Sequence, residues 1–144
     1  MKQRDDTLTL DSVSFIRGER TPMPKTILVV DDSPIFRQVI AAALTEAGYD
    51  VLEAANGRDG LILLDGRKIH LIISDLNMPI LDGLAFVRCA RGVEGYNHTP
   101  VIMMTTVTNE EKKDEAMSEG IRAWVNKPFQ PAILLEAVSK IVQA

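Results

Sequence analysis

The stretch TILVVDDSP, residues Thr26–Pro34, decides the fold of this chain. Its first five residues are apolar or β-branched and stop abruptly at Asp31 and Asp32, which is typical of a strand buried on both faces. Ser33 is a good helix cap and Pro34 suits the first helical turn, so we expect a helix to begin within three residues of the strand. Apolar residues then recur with helical spacing until a glycine ends the run.

The same alternation of strand and helix repeats along the rest of the chain. Helices placed between strands imply right-handed crossovers and a parallel sheet that is covered on both faces. The sequence therefore predicts a doubly wound α/β fold with five strands and five helices. The predicted strands are 26–30, 51–54, 69–74, 101–105 and 121–125, and the predicted helices are 35–47, 57–65, 82–91, 110–119 and 130–142.

Length and composition fit one globular domain with an N-terminal extension. The chain has 144 residues, of which 46% are hydrophobic and 25% charged, as in ordinary soluble domains. Residues 1–24 end in a proline pair and are predicted to form a flexible leader, although Asp11–Ile16 could be a short strand or docking segment. Residues 25–144 are predicted to form the domain itself.

Charge and cysteine content exclude several classes of function. A net charge of −4 with scattered basic residues argues against direct nucleic-acid binding, which needs a dense basic stripe. No apolar run is long enough to span a bilayer, and nothing resembles a secretory signal. Cys89 is the only cysteine and is predicted to be a small core residue of a helix. We therefore expect a cytoplasmic protein without membrane contacts.

Polar side chains stand where the predicted strands end. Asp31 and Asp32, then Asp75, then Thr105 follow the three most apolar strands, and Lys127 follows the last strand. In parallel sheets, ligands bind at the carboxyl ends of the strands. Three carboxylates brought together stay ionised only beside a positive charge, and oxygen ligands of this kind suit Mg²⁺. The sequence therefore predicts a magnesium site at this edge.

A carboxylate beside a metal ion can act as a nucleophile toward phosphorus. Asp75 is the predicted nucleophile because it stands alone at the end of the central strand. Thr105 can donate a hydroxyl hydrogen bond, and Lys127 can bring a compact positive charge, to the remaining phosphoryl oxygens.

Four segments of the chain resemble the signature segments of response-regulator receiver domains, the CheY-like family of two-component signalling. They are ILVVDDS at Ile27–Ser33, LIISDLNMP at Leu71–Pro79, PVIMMT at Pro100–Thr105 and KPF at Lys127–Phe129. The resemblance is specific because all four fall in the right order with fitting spacing. It implies a flavodoxin-like sheet with strand order 2-1-3-4-5 and a stand-alone, single-domain regulator. Chemotaxis, a phosphorelay and a kinase adaptor are all open as its pathway.

The resemblance also implies a role for each site residue. Asp32 and Asp75 would ligate Mg²⁺ directly, Asp31 through water, and Asn77 through its backbone carbonyl. Asp75 would be the phospho-acceptor, and it would receive the phosphoryl group from a sensor histidine kinase or a phosphotransfer protein. The only chemistry implied is this self-directed phosphotransfer and autodephosphorylation, so the chain is not expected to be an enzyme in the ordinary sense.

By the same resemblance, Thr105 and the aromatic Trp124 would form the switch that responds to phosphorylation. Tyr or Phe is usual at that position, so Trp124 departs from the family pattern. The peptide bond between Lys127 and Pro128 would be cis. A downstream protein would bind the face made of the Glu110–Glu119 helix, the last strand and the last helix.

Other functions stay open at the level of the sequence. A phosphorelay shuttle or a phosphorylation-independent adaptor would use the same fold. A phosphatase of the haloacid dehalogenase type would also use Asp, Thr, Lys and Mg²⁺, but it expects Asp-x-Asp where this chain has Asp31-Asp32-Ser33. A nucleotide-binding domain would need a glycine-rich phosphate loop, and no strand is followed by one.

Overall fold

A computed structural model describes residues 23–106, 114 and 119–143. In this part of the chain five strands and four helices follow one another in the predicted order, and the fifth predicted helix, Glu110–Glu119, lies mostly outside it. The strands are β1 (Thr26–Val30), β2 (Asp50–Ala54), β3 (Leu71–Asp75), β4 (Val101–Thr105) and β5 (Ile121–Asn126), and the helices are α1 (Pro34–Glu46), α2 (Gly57–Ile62), α3 (Gly83–Arg91) and α4 (Pro131–Val142).

The five strands form one parallel sheet in the order β2-β1-β3-β4-β5, which confirms the predicted topology. The register brings the carboxyl ends of the strands to one edge. Val30 of β1 pairs with Ser74, so the residues after β1 lie beside the end of β3. Asp75 pairs with Met104, and Thr105 pairs with Asn126 of β5.

Helices cover both faces of the sheet, and its three central strands are buried and mostly apolar. The core side chains of β1, β3 and β4 are fully withdrawn from solvent, and burying each of the larger ones contributes about 1.5 to 3 kcal/mol. Alternate residues of β1 face opposite ways: Leu28 packs with Phe86 of α3, whereas Ile27 packs with Ile40 of α1 and Leu134 of α4. This two-sided burial explains the continuous apolar runs in the sequence.

Side-chain caps fix where α1 and α3 begin, next to the strand ends that carry the acidic residues. The Ser33 hydroxyl oxygen accepts a hydrogen bond from the backbone N–H of Phe36, at 3.4 Å, as predicted for the start of α1. A carboxylate oxygen of Asp82 accepts from the backbone N–H of Ala85, at 2.8 Å, at the start of α3. The strand therefore gives way to the helix at the predicted position beside the acidic pair.

The structure corrects the environment of Cys89 and places several predictions outside the described residues. Cys89 is exposed, because the buried side of α3 is formed by Leu84, Phe86, Val87 and Ala90. The predicted leader, apart from its last two residues, and most of the predicted helix Glu110–Glu119 lie outside the described ranges. Within those ranges, no helix has the length and apolar character that crossing a bilayer requires.

Candidate functional site

Several of the predicted site residues lie at the carboxyl edge of the sheet. Asp31 directly follows β1, Asp75 is the last residue of β3, and Thr105 is the last residue of β4. Lys127 directly follows β5, and its backbone N–H donates to the carbonyl oxygen of Thr105 at 2.8 Å. Residues far apart in the sequence therefore lie around one point, because parallel strands in register end together.

Three carboxylates form a cluster at this edge. Asp31, Asp32 and Asp75 each offer an oxygen atom, and these atoms lie within 4.8 Å of one another. Asp31 is fully buried and Asp75 is 7% exposed, whereas Asp32 faces solvent. One carboxylate oxygen of Asp31 accepts from the backbone N–H of Ser33 at 2.9 Å, which fixes its orientation. Asp32 is therefore the member of the cluster that an ion from solvent reaches first.

Lys127 brings a positive charge into the cluster. Its Nζ lies 2.9 Å from Oδ2 of Asp31 and 3.4 Å from Oδ2 of Asp75, and its side chain is only 6% exposed. The Lys127–Pro128 peptide bond is cis, as the resemblance implied. The distance of 3.4 Å from Nζ to Asp75 shows that the ammonium already contacts the predicted acceptor.

Negative charge remains in excess at the site. Among the described residues, the three carboxylates of the cluster share the one ammonium of Lys127 as an ion-pair partner. Burial raises the pKa of Asp75, and the charges of Asp31 and Asp32 add to this effect, while Lys127 opposes it. A bound cation would relieve this repulsion.

The donor set fits Mg²⁺. All the clustered ligand atoms are carboxylate oxygens, which hard cations prefer over nitrogen or sulfur ligands. Oxygen atoms on opposite sides of Mg²⁺ are roughly 4 Å apart, so the observed spacing of up to 4.8 Å needs only a small contraction. Asn77, whose carbonyl is the remaining predicted ligand, is exposed in the loop that follows β3.

Thr105 and Trp124, the predicted switch residues, lie on neighbouring strands. Thr105 is fully buried, and in the register of the sheet it pairs with Asn126 of β5. Trp124, two residues before Asn126, pairs with Met103, two residues before Thr105. Because side chains two residues apart share a face of the sheet, Thr105 and Trp124 point to the same side. Trp124 is partly buried against the core on the α3 side.

The loop after β3 is shaped by two residues that the sequence did not single out for this role. At Gly83, a β-carbon would stand 2.4 Å from the carbonyl oxygen of Asp75, so α3 can begin this close to the acceptor only at a glycine. The N–H of Gly83 donates to the carbonyl of Leu76 at 2.7 Å. Ile80 has φ of 73°, in the left-handed region that favours glycine and asparagine.

Two residues of α1 also reach the site and were missed. The guanidinium of Arg37 donates to the backbone carbonyl of Asp31 at 2.7 Å and forms an ion pair with Glu53 at 3.2 Å. The ring of Phe36 lies beneath the ammonium of Lys127, 4.4 Å from Nζ to the ring centroid. Their position one helical turn after the acidic pair is the signal that could have identified them.

Both histidines lie away from the carboxylate cluster. His70 and His98 line a groove of about 480 Å³ formed by the loops before β3 and β4, at the opposite edge of the sheet. The backbone N–H of Thr26 donates to Nδ1 of His70 at 2.9 Å, which gives this side chain a structural role.

Comparison with known proteins identifies the family of this chain. Residues 27–139 match the family described as response regulator receiver domain. A chemotaxis protein CheY homolog of Campylobacter jejuni is 36% identical over 118 residues, which are 81% of this chain and 91% of that protein. CheY1 of Helicobacter pylori is 35% identical over 81% of this chain and 95% of its own length.

A solved structure of the chemotaxis protein CheY4 of Vibrio cholerae superposes with a TM-score of 0.79 and 39% identity, covering 83% of this chain and 99% of that one. The residues that match the family, 27–139, include the three aspartates of the carboxylate cluster. The chain therefore belongs to the response regulator receiver domain family.

Proposed function

We propose that this chain is a phosphorylation-switched response regulator that accepts a phosphoryl group on Asp75 from a sensor histidine kinase or phosphotransfer protein. The observation that carries the proposal is the position of Asp75, within a cluster of three carboxylates and 3.4 Å from the ammonium of Lys127. This combination of a metal-type donor set and a cation around one strand-end carboxylate suits phosphoryl transfer.

In the proposed reaction, a carboxylate oxygen of Asp75 attacks the phosphorus atom of a phosphohistidine. An O–P bond forms, the P–N bond breaks, and the imidazole nitrogen leaves with the bonding electron pair. Attack by water later releases inorganic phosphate and restores the carboxylate. Each chain thus carries one phosphoryl group at a time, and that group changes the state of the protein itself.

Asp32 and Asp75, with Asp31 through water and the carbonyl of Asn77, are the groups that would hold Mg²⁺. When bound, the ion neutralises negative charge on the phosphoryl oxygens in the transition state. The solvent-facing position of Asp32 and the short spacing of the carboxylate oxygens support this assignment.

Lys127 and Thr105 would bind the phosphoryl oxygens that remain. The ammonium of Lys127 already contacts Asp75, so it needs to move little to reach a phosphoryl group on that residue. Thr105 would turn its hydroxyl toward the phosphoryl group, and the vacated space would allow Trp124 to repack. Their shared side of the sheet supports this coupling.

Signalling would then proceed through protein contacts in the cytoplasm. The proposed partner face consists of β5, α4 and the predicted helix Glu110–Glu119, which lies mostly outside the described residues. Its described part contains a shallow groove of about 340 Å³ between Trp124 and Ile133, and Ile133 is 55% exposed. The names of the relatives favour chemotaxis, while a phosphorelay shuttle would use the same site.

The test is to incubate the protein with acetyl phosphate and Mg²⁺ and to measure intact mass. We expect the addition of one phosphoryl group per chain, its loss in Asp75→Asn, and its suppression by EDTA. Asp82→Asn is the matched control, because Asp82 is an exposed aspartate that caps α3 nearby. Labelling of Asp75→Asn equal to wild type would contradict the proposal, and sustained hydrolysis of phosphomonoesters would favour a phosphatase.

A further inference from the structure

The ammonium of Lys127 has an aromatic contact in addition to its two carboxylates. Nζ lies 4.4 Å from the centroid of the Phe36 ring, within the range of a cation–π interaction. Phe36 belongs to the first turn of α1, which begins immediately after the acidic pair. α1 therefore begins at the site and places the side chain of Phe36 against Lys127.

The Phe36 ring is itself supported by a second ring. Phe129, two residues after Lys127, packs against Phe36 with the ring centroids 6.3 Å apart and the planes inclined by 37°. Phe129 also packs with the core on the α1 and α4 side of the sheet. The Phe36 ring thus contacts both Phe129 and the ammonium.

The position of the Lys127 ammonium depends on the contacts that it makes with neighbouring side chains. The lysine side chain is flexible, yet here it is only 6% exposed, so the water that would normally solvate Nζ is largely excluded. The carboxylates of Asp31 and Asp75 contact the ammonium at 2.9 and 3.4 Å. The electron-rich face of Phe36 offers a further attractive contact that carries no net charge.

We infer that Phe36 is a positioning residue that holds the Lys127 ammonium beside Asp75. This inference rests on the proposed function. A bound metal ion would offset the negative charge of the Asp75 carboxylate, and phosphorylation would replace the carboxylate by an acyl phosphate, so both events would change the attraction between Asp75 and Lys127. The attraction of the Phe36 ring is unaffected by either event, and therefore it keeps the ammonium in place when the phosphoryl group arrives.

Three variants at position 36 distinguish the electrostatic effect of the aromatic ring from the effect of its shape. Pentafluorophenylalanine at position 36 keeps the ring but reverses its quadrupole, Phe36→Leu removes the ring, and Phe36→Tyr retains an electron-rich face. We expect labelling of Asp75 by acetyl phosphate in Mg²⁺ to be roughly three- to tenfold slower in the first two and within about twofold of wild type in Phe36→Tyr.

A second readout needs neither metal nor phosphate. Protons over an aromatic face are shifted upfield in NMR spectra, so the ε-methylene protons of Lys127 should show this shift in wild type and Phe36→Tyr and lose it in Phe36→Leu. Pentafluorophenylalanine at position 129 is the matched control, because that ring supports Phe36 and does not lie beneath the ammonium. There we expect a labelling rate within about twofold of wild type.

Wild-type rates in both the pentafluorophenylalanine-36 protein and Phe36→Leu would overturn the inference, even if both proteins are less stable. An unshifted Lys127 signal in wild type would also overturn it. A wild-type protein that acquires no phosphoryl group would contradict the proposed function itself. If wild type is labelled normally and the Phe36 variants are labelled at the same rate, only the inference about Phe36 is contradicted.

Discussion

The Nζ of Lys127 lies 2.9 Å from Oδ2 of Asp31, and the two side chains are 6% and 0% exposed. This pair joins the end of β5 to the end of β1 across the width of the site. Removing one partner of a buried pair leaves the other charge without compensation, which usually costs more than the pair itself contributes.

Replacement of Lys127 by Met should therefore destabilise the fold. We expect Lys127→Met to lower the free energy of unfolding by about 3 to 5 kcal/mol in metal-free buffer, measured by urea unfolding. Lys140→Met is the matched control, because Lys140 pairs with Glu136 at 3.7 Å on the surface, with side chains 74% and 67% exposed. That change should cost less than about 1 kcal/mol, and equal losses in the two variants would refute the argument.

Insertion of a methyl group at Gly83 should disturb the site through the backbone. A β-carbon there would stand 2.4 Å from the carbonyl oxygen of Asp75, so β3 and α3 would have to separate. We expect Gly83→Ala to cost about 1 to 3 kcal/mol in denaturant unfolding and to slow the labelling of Asp75. At Gly92, the nearest atom is 3.5 Å from the added carbon, so Gly92→Ala should fold and label as wild type does.

Ile80 should be replaceable with a gain in stability. Its φ of 73° is unfavourable for a β-branched residue, and its side chain is 68% exposed, so little burial is lost on substitution. Because asparagine tolerates the left-handed region, Ile80→Asn should raise the free energy of unfolding by about 1 kcal/mol. Ile62, which is 67% exposed in α2, provides the control. An increase in Ile62→Asn as large as in Ile80→Asn would argue against relief of backbone strain.

The histidine between α2 and β3 should make stability depend on pH. Burial lowers the pKa of His70 below 6.5, and the charges of Lys25 and Lys68 add to this effect. The unfolded chain then binds the proton more readily, so the stabilisation is complete above pH 6.5 and is lost as the pH falls through the pKa of the folded protein. We expect the fall in Tm between neutral and mildly acidic pH to be smaller in His70→Gln than in wild type. His98→Gln should retain the wild-type slope, and an unchanged slope in His70→Gln would count against this explanation.

The boundaries of the elements were predicted most accurately where an apolar strand is followed directly by charged residues. The end of β1 and the cap at Ser33 were predicted correctly, because an apolar run and a cap are local signals. The end of α2 was predicted at Asp65, but the helix ends at Ile62. The N–H of Leu64 donates to the carbonyl of Leu61 in a tighter turn, which lets Leu64 bury all but 5% of its surface. Such tightening depends on what the turn packs against.

The sequence by itself determined the alternation of strands and helices and the placing of Asp31, Asp75 and Thr105 at strand ends, because these features follow from local periodicity. Only the tertiary structure decided that Asp31 is buried with Lys127, 96 residues away, while Asp32 faces solvent. It alone also placed the ring of Phe36 beneath the ammonium. Contacts of this kind depend on strand order, register and helix position together, and no single stretch of sequence contains that information.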